Sequence, residues 1–299
     1  MFVGMIIVVK PPSSAAALAR GMVGGGNTTG YAKTDIIEYV TIPVPGNSID
    51  FGDLSSARQM PGACASSTRA VWGGGNDSAA TVTMEYVTIA VPGDVTDFGD
   101  LTIATWYGGG LASETRGVFA GGVNENTISY ITIASTGNAT DFGDITTDVR
   151  IKCSGSSTRG ILNWNYDDND GGNSNEIEYI TIASTGNTTD FGDSTLNTYG
   201  RASSSNDIRG LAGGMWGNHI DYITIASAGN ATDFGDLTFS QGYLSSYADK
   251  ITACFCGGST LIVDICYVTI ATTGNATDFG DLTSVRAEAA GCSDSHGGV

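Results

Sequence analysis

The tetrapeptide Asp-Phe-Gly-Asp recurs along this chain at intervals of 43 to 49 residues. Its six copies begin at Asp50, Asp97, Asp141, Asp190, Asp233 and Asp278. This spacing is typical of four-stranded propeller blades rather than of the shorter helical repeats. A unit of that size cannot bury a core of its own and must share its faces with its neighbours. The sequence therefore predicts an all-β protein, a six-bladed β-propeller.

Each repeat divides into four segments with the character of short strands. The first consists of small residues, as in 61–66, and an innermost strand near a propeller axis requires such residues. The second has an arginine near its start and ends in two glycines in its best copy, Thr115–Gly122. The third is a Tyr-Ile-Thr-Ile strand, and the fourth carries Asp-Phe-Gly-Asp. Pro45-Gly46 and Pro92-Gly93, between the third and fourth segments, predict type II turns.

The two ends of the repeat region complement each other. Residues 285–293 follow the sixth Asp-Phe-Gly-Asp and resemble a first strand without its second. Residues 19–25 resemble a second strand without its first. We expect one antiparallel blade to be assembled from both termini, since this closes the ring and removes exposed edge strands. The propeller then comprises residues 19–299, and residues 1–18 are predicted to be a docking segment that contacts other subunits.

The composition excludes some partners. The formal net charge is −18, from 31 acidic and 13 basic residues. A surface of that sign repels phosphate backbones, so nucleic acid is not expected as a partner. The apolar run 1–9 is too short to span a bilayer, and no membrane insertion is predicted. The six cysteines contain no Cys-x-x-Cys pair, and we interpret them as small buried hydrophobic residues.

Charged residues recur at fixed places in the repeat. An arginine begins the second segment in five repeats, and an aspartate closes each Asp-Phe-Gly-Asp. These residues are Arg20, Arg69, Arg116, Arg159 and Arg209, and Asp53, Asp100, Asp144, Asp193, Asp236 and Asp281. We expect ion pairs or hydrogen bonds between them to connect strands or blades. The sixth repeat has Lys250 where the arginine is expected.

One segment departs from the repeat and is rich in oxygen ligands. Asp167, Asn169 and Glu178 stand at positions 1, 3 and 12 of a possible calcium loop. Position 5 is Gly171, however, so a solvated insertion over 163–175 is the preferred interpretation. No metal ion and no cofactor is predicted.

Strand order assigns the connecting loops to two faces. In an antiparallel four-stranded blade the 1–2 and 3–4 turns share one face, and the 2–3 and 4–1 loops share the other. The first face carries near-identical turns, whereas the second carries the loops that vary and most of the unusual aromatic residues. The candidate ligand-binding residues on this variable face are Trp106, Tyr107, Trp164, Tyr166, Trp216 and His219. They are suited to stacking on sugar rings, and equally to filling gaps between blades.

The repeat resembles those of known propellers. A double glycine that ends one strand, with an aromatic residue that begins a later one, is similar to kelch-like repeats. The longer string from Thr115 to Asp144 also resembles repeats of bacteriophage virion proteins of the tail, fibre or decoration type. The resemblance covers residues 19–299 and implies a structural protein of a virion. It carries no catalytic residues over to this chain.

These patterns favour a non-enzymatic role. The two histidines, His219 and His296, form no evident Ser-His-Asp set with the rest of the sequence. We expect a virion structural or adhesion protein that presents one propeller face to a partner, such as a host-surface glycan. One alternative is a purely architectural subunit of a phage or of an extracellular bacterial lattice. Another is a glycan-cleaving enzyme with paired carboxylates.

Overall fold

The chain forms a six-bladed β-propeller in which every blade is built on four antiparallel strands. A computed structural model describes residues 19–169, 171–215 and 217–295, with the backbone alone for residues 164 and 165. The docking segment predicted at 1–18 lies outside the described residues. The predicted fold class is confirmed.

The strands follow the four segments of the repeat. Blade one contains β1 (Arg20–Gly24), β2 (Ile36–Thr41), β3 (Ile49–Asp53) and β25 (Ala290–Ser293). Blade two contains β4 (Gly62–Ala65), β5 (Arg69–Gly73), β6 (Thr81–Thr88) and β7 (Thr96–Thr105). Blade three contains β8 (Gly109–Ala112), β9 (Arg116–Gly122), β10 (Glu125–Thr132) and β11 (Thr140–Asp144).

The other three blades repeat this order with one extension. Blade four contains β12 (Val149–Gly155), β13 (Arg159–Asp167), β14 (Gly172–Asn173), β15 (Glu176–Thr181) and β16 (Thr189–Asp193). Blade five contains β17 (Ala202–Ser205), β18 (Arg209–Gly213), β19 (His219–Thr224) and β20 (Thr232–Asp236). Blade six contains β21 (Ser245–Ala248), β22 (Thr252–Cys256), β23 (Asp264–Thr269) and β24 (Thr277–Asp281). The segment 163–175, predicted as a loop insertion, is partly a hairpin because β14 pairs with the prolonged β13.

The ring closes as predicted through both ends of the described chain. Strand β1 lies between β25 and β2, with Met22 opposite Cys292 on one side and Tyr39 on the other. The six inner strands β4, β8, β12, β17, β21 and β25 pack side by side around the axis. Their small residues permit this approach. At Gly110, for example, a Cβ atom would lie 2.2 Å from the carbonyl oxygen of Ala63.

The hydrophobic core lies between adjacent blades, and one aromatic contact recurs within every blade. In each blade the tyrosine of the third strand meets the phenylalanine of Asp-Phe-Gly-Asp edge to face, with ring centroids 5.8 to 6.1 Å apart. The phenylalanines are buried. All six cysteines are free and buried, which confirms their interpretation as packing residues.

The phenylalanine and second aspartate of Asp-Phe-Gly-Asp hydrogen-bond the hairpin of the next blade through their backbone, and the glycine between them packs against it. Between blades three and four, the Asp144 N–H donates to Oδ1 of Asn187 at 3.0 Å. The Gly186 N–H donates to the Phe142 carbonyl oxygen at 2.8 Å. A Cβ atom on Gly143 would lie 2.5 Å from the Gly186 backbone. Glycine is therefore required at this place because the next hairpin packs directly on it.

The type II turns predicted for these hairpins are wrong. The hydrogen-bonded turn lies earlier in the chain, where the Val91 N–H donates to the Thr88 carbonyl oxygen at 3.0 Å. Gly93 has φ of 158°, far from the value near +80° that a type II turn requires. The glycine instead supplies an extended, side-chain-free segment that the preceding blade contacts.

The predicted pairing of the repeated arginines with the repeated aspartates is also wrong. Each of the five arginines stacks on the tyrosine of its own blade, with Cζ 4.4 to 4.7 Å from the ring centroid. Its Nη1 donates to an isoleucine carbonyl oxygen of the next blade, as from Arg116 to Ile182 at 2.7 Å. The aspartates Asp53, Asp100, Asp144, Asp193, Asp236 and Asp281 are exposed or half-buried, and no ion pair of the described residues joins them to these arginines. An exposed ion pair gains little in water, whereas the stacked guanidinium also satisfies a carbonyl group.

The sixth repeat differs from the prediction at the same place. Strand register puts Thr252 opposite Thr269, as Arg209 lies opposite Thr224. Lys250 precedes the strand and is exposed. The arginine position of blade six is therefore occupied by Thr252 and not by Lys250.

Three ion pairs are buried inside blades. They join Arg58 to Glu85 at 2.6 Å, Arg201 to Asp221 at 2.5 Å and Arg286 to Glu38 at 3.0 Å. In each pair the acid lies at a β-bulge of the third strand, and the arginine precedes the inner strand. Because both partners are desolvated, loss of either one leaves an uncompensated buried charge.

Candidate functional site, a tyrosine-lined pocket at the mouth of the channel

At one mouth of the central channel, each blade contributes the residue at the entrance of its inner strand. These residues are Met60, Tyr107, Arg150, Gly200, Tyr243 and Glu288. Backbone hydrogen bonds link neighbouring blades here, from Met60 to Glu288 at 2.7 Å and from Tyr107 to Met60 at 3.1 Å. Met60, Tyr107, Tyr243 and Glu288 have φ near +60°. This left-handed conformation places the mouth residues side by side.

Blade four interrupts this ring. Its inner strand β12 already begins at Val149, so Arg150 lies within the strand, next to a register shift at Ile151. The described residues show no mouth bond between blades four and five, although Tyr243 still donates to Gly200 at 2.6 Å and Ile151 to Tyr107 at 3.3 Å. A pocket opens beside this gap.

Four tyrosines surround the pocket. Tyr107 and Tyr243 have ring centroids 6.2 Å apart, Tyr199 and Tyr243 5.9 Å, and Tyr166 and Tyr199 6.1 Å. All four rings are half-buried. The enclosed part of the pocket has a volume of about 20 Å³, and the remaining space between the rings is open to solvent. Met60, Arg150, Lys152 and Glu288 complete its wall. Half-buried tyrosines offer flat apolar faces and hydroxyl groups to a ligand.

Arg150 is held between two of these rings. Its Cζ lies 5.2 Å from the Tyr107 centroid and 4.7 Å from that of Tyr166. Asp168 accepts from its Nε at 3.1 Å and from its Nη2 at 2.9 Å. The guanidinium is therefore neutralised and fixed in place, and it braces the wall.

The pocket also contains a carboxylate and an amine. Glu288 accepts from the Tyr107 hydroxyl at 3.3 Å and from Asn27 Nδ2 at 2.5 Å. Burial raises the pKa of Glu288, against the opposite effects of Tyr107 and Lys152. Burial lowers the pKa of Lys152, against the opposite effects of Cys153 and Glu288. Burial also raises the pKa of Tyr107, and that of Tyr243 to about 12, so both phenols are neutral at physiological pH.

The structure brings together part of the predicted ligand set. Tyr107 and Tyr166 line the pocket, and Trp106 packs on Tyr107 with centroids 5.2 Å apart. His219 lies elsewhere in blade five, with Nε2 2.8 Å from the Thr195 hydroxyl and Nδ1 3.4 Å from Asp233. Trp216 lies outside the described residues, and only the backbone of Trp164 is described, in β13.

Several pocket residues were not predicted from the sequence. They are Met60, Arg150, Lys152, Tyr199, Tyr243 and Glu288. An alignment of the inner strands would have indicated Lys152, because the same place holds Gly62, Gly109, Ala202, Ser245 and Ala290 in the other blades. The fold does not require a lysine at a position that small residues occupy in the other five blades.

The calcium loop considered at 167–178 takes another form. Asp168 binds Arg150, and the Asn169 N–H donates to Oδ1 of Asp167 at 2.8 Å within a tight turn. Across residues 19–169, 171–215 and 217–295, no group of three or more His, Cys, Asp or Glu side chains is placed to hold a metal ion. In the same part of the chain, no helix has the length and apolar character to cross a membrane.

Comparisons with known proteins give no relative. The chain matches no protein-family model, and no curated protein sequence matches it.

Proposed function

We propose that this protein is a non-enzymatic binding protein that presents the channel-mouth face of its propeller to a partner. The tyrosine-lined pocket carries this proposal. It lies on the face formed by the variable loops, and the break in the mouth ring at blade four creates it. The opposite face repeats nearly the same turns, as expected of a surface that serves the fold.

A surface glycan is the ligand class that best suits this pocket. Sugar rings stack on aromatic faces and exchange hydrogen bonds with hydroxyl groups. Tyr199 and Tyr243 offer such faces, and the neutral phenols donate and accept hydrogen bonds. The resemblance of the repeat to those of phage virion proteins supports a place on a virion, with residues 1–18 as the contact to other subunits.

Glycan-array binding of the purified protein tests this proposal. Tyr199→Ala should abolish binding because it removes the ring between Tyr166 and Tyr243. Tyr31→Ala is the matched control: Tyr31 is 78% exposed in the 2–3 loop of blade one and lies outside the pocket. Equal binding by both variants would place the glycan site outside this pocket, and an array without any signal would instead favour a purely architectural subunit. Consumption of a bound glycan would favour the glycan-cleaving alternative.

A further inference from the structure

We propose that Lys152 is an anion-binding residue on the wall of the pocket and that it selects an acidic sugar, one that bears a carboxylate. The inference rests on the proposed function in taking the ligand to be a glycan. It adds the charge of that ligand and the residue that recognises it.

The argument begins with the partners of the other cations. Arg58, Arg201 and Arg286 pair with buried acids, and Arg150 pairs with Asp168. Five arginines bind carbonyl groups of neighbouring blades, and Lys33 donates to Asn76 and Asp77. Lys250 is exposed to water. Within the described part of the chain, Lys152 is the one cation that is at least half-buried yet has no hydrogen bond or ion pair.

Lys152 lies at the junction of two open spaces. It lines both the tyrosine pocket and the upper channel, where the opposing walls are small residues such as Gly109, Ser245 and Ala290. Glu288 is the acid beside it, but no hydrogen bond or ion pair joins the two, and the Glu288 oxygens accept from Tyr107 and Asn27 instead. The ammonium group thus keeps its donors for a ligand.

A bound carboxylate would give this ammonium group a hydrogen-bonded partner, which the described residues do not supply. Hydrogen bonds between an ammonium group and a carboxylate are shorter and roughly twice as strong as those between neutral groups. A neutral sugar can gain the stacking on tyrosine but not this contribution. The pocket should therefore discriminate between sugars that differ by one carboxylate.

The test uses methyl β-D-glucuronide and methyl β-D-glucoside, which differ in a carboxylate and a hydroxymethyl group. Calorimetry should show that Lys152→Met weakens binding of the glucuronide by at least about 10-fold. Binding of the glucoside should change by less than about 2-fold. Lys250→Met, which removes an exposed lysine, should leave both affinities unchanged.

Lysine NMR gives a second readout that does not depend on a glycan. The chain has four lysines, Lys10, Lys33, Lys152 and Lys250, so selective ¹³C labelling gives few signals. The glucuronide, or acetate alone, should shift the Lys152 Cε signal and raise the pH at which it titrates. Lys250 should not respond.

The outcomes separate the two proposals. If wild type and Lys152→Met bind the glucuronide equally, the anion site is wrong, while loss of binding in Tyr199→Ala still supports glycan recognition. If no sugar binds but acetate shifts the Lys152 signal, the anion site stands and the glycan proposal fails. Absence of any response of Lys152 to either carboxylate overturns the inference.

Discussion

The backbone N–H of Asp281 donates to the side-chain oxygen of Asn47 at 3.1 Å, although 234 positions separate them in the sequence. This bond joins blade six to blade one. It is equivalent to the Asp144–Asn187 bond between blades three and four, and the repeat thus supplies the same connection at closure as elsewhere. The second aspartate of Asp-Phe-Gly-Asp serves this connection through its backbone.

The glycine of the motif should be the most sensitive residue of this connection. Gly143 and Gly137 have similar φ, 147° and 154°. A Cβ atom on Gly143 would lie 2.5 Å from the Gly186 backbone, whereas one on Gly137 would meet nothing within 4 Å. Gly143→Ala should therefore lower the free energy of unfolding by about 1–3 kcal/mol more than Gly137→Ala, since both share the φ strain and one adds a clash. Urea unfolding measures both, and equal losses would mean that the packing of the next hairpin is not the constraint.

Asp94 occupies a position where the equivalent residues are asparagines such as Asn138 and Asn187. It accepts from the Asp53 N–H at 3.1 Å but adds a charge beside Asp53. The pKa of Asp53 is raised by desolvation and then by the charges of Asp35, Asp94 and Asp50. A raised carboxyl pKa means that the repulsion costs stability at neutral pH and disappears as the pH falls below the pKa of the unfolded chain.

Asp94→Asn should thus keep the hydrogen bond and remove the repulsion. We expect a gain in unfolding free energy of a few tenths to about 1 kcal/mol at pH 7 and low salt. The gain should shrink with added salt and toward pH 3, as like charges are screened or protonated. The reverse substitution, Asn138→Asp, should cost a similar amount. A salt-independent gain would assign the effect to something other than charge.

Blade six lacks the stacked arginine of the other blades, so introducing one there tests whether this residue stabilises the fold. Arg116 stacks 4.4 Å from the Tyr130 centroid and donates to the Ile182 carbonyl oxygen at 2.7 Å. Thr252→Arg should place a guanidinium over Tyr267 and next to blade one, and raise the free energy of unfolding by about 0.5–1 kcal/mol. Thr252→Lys is the control, because an ammonium group cannot stack as a planar guanidinium does. Equal unfolding midpoints for the two variants would contradict the stacking role.

The fold was predictable because the same strand and turn preferences occur in each of six repeats. The strand order, the small inner strands and the closure by both termini all follow from the alignment of the repeats with one another. The partner of Arg116 was not predictable in the same way. Its acceptor is a backbone carbonyl group of the next blade. Because every residue has a carbonyl group, the sequence does not indicate which one accepts the hydrogen bond. The aspartates were the complementary charges that recur in all six repeats, and the pairing was therefore assigned to them.

The pocket was partly predictable for a related reason. Loop parity put Tyr107 and Tyr166 on one face, but neither the meeting of Tyr199 with Tyr243 nor the missing mouth bond between blades four and five corresponds to a pattern in the sequence. That break follows from the early start of β12, whose boundary sequence patterns do not define. The proposed site therefore lies where blade four departs from the repeat, and the regular blades supply the frame.

The buried thiols should make the protein sensitive to alkali. Burial raises the pKa of all six cysteines, with Cys266 at about 11 and Cys153 at about 12. In the unfolded chain each thiol ionises at the usual pKa of cysteine, about 8.5. Between these values the folded protein keeps protons that the unfolded chain releases. The contribution to stability is thus complete below about pH 8 and is lost as the pH rises further.

Each thiol should reduce the unfolding free energy by about 1.4 kcal/mol for every pH unit above the pKa of the unfolded chain. Urea unfolding with a reductant present, from pH 7 to 9.5, should therefore show a loss of several kcal/mol that begins near pH 8.5. Cys153→Ser should make this decline less steep by one thiol's share. Serine is tolerated at that position because Ser203 and Ser246 occupy it in blades five and six. An unchanged slope in this variant, or a stability that is flat to pH 9.5, would show that the thiols are not withdrawn from water as the packing of the inner strands requires.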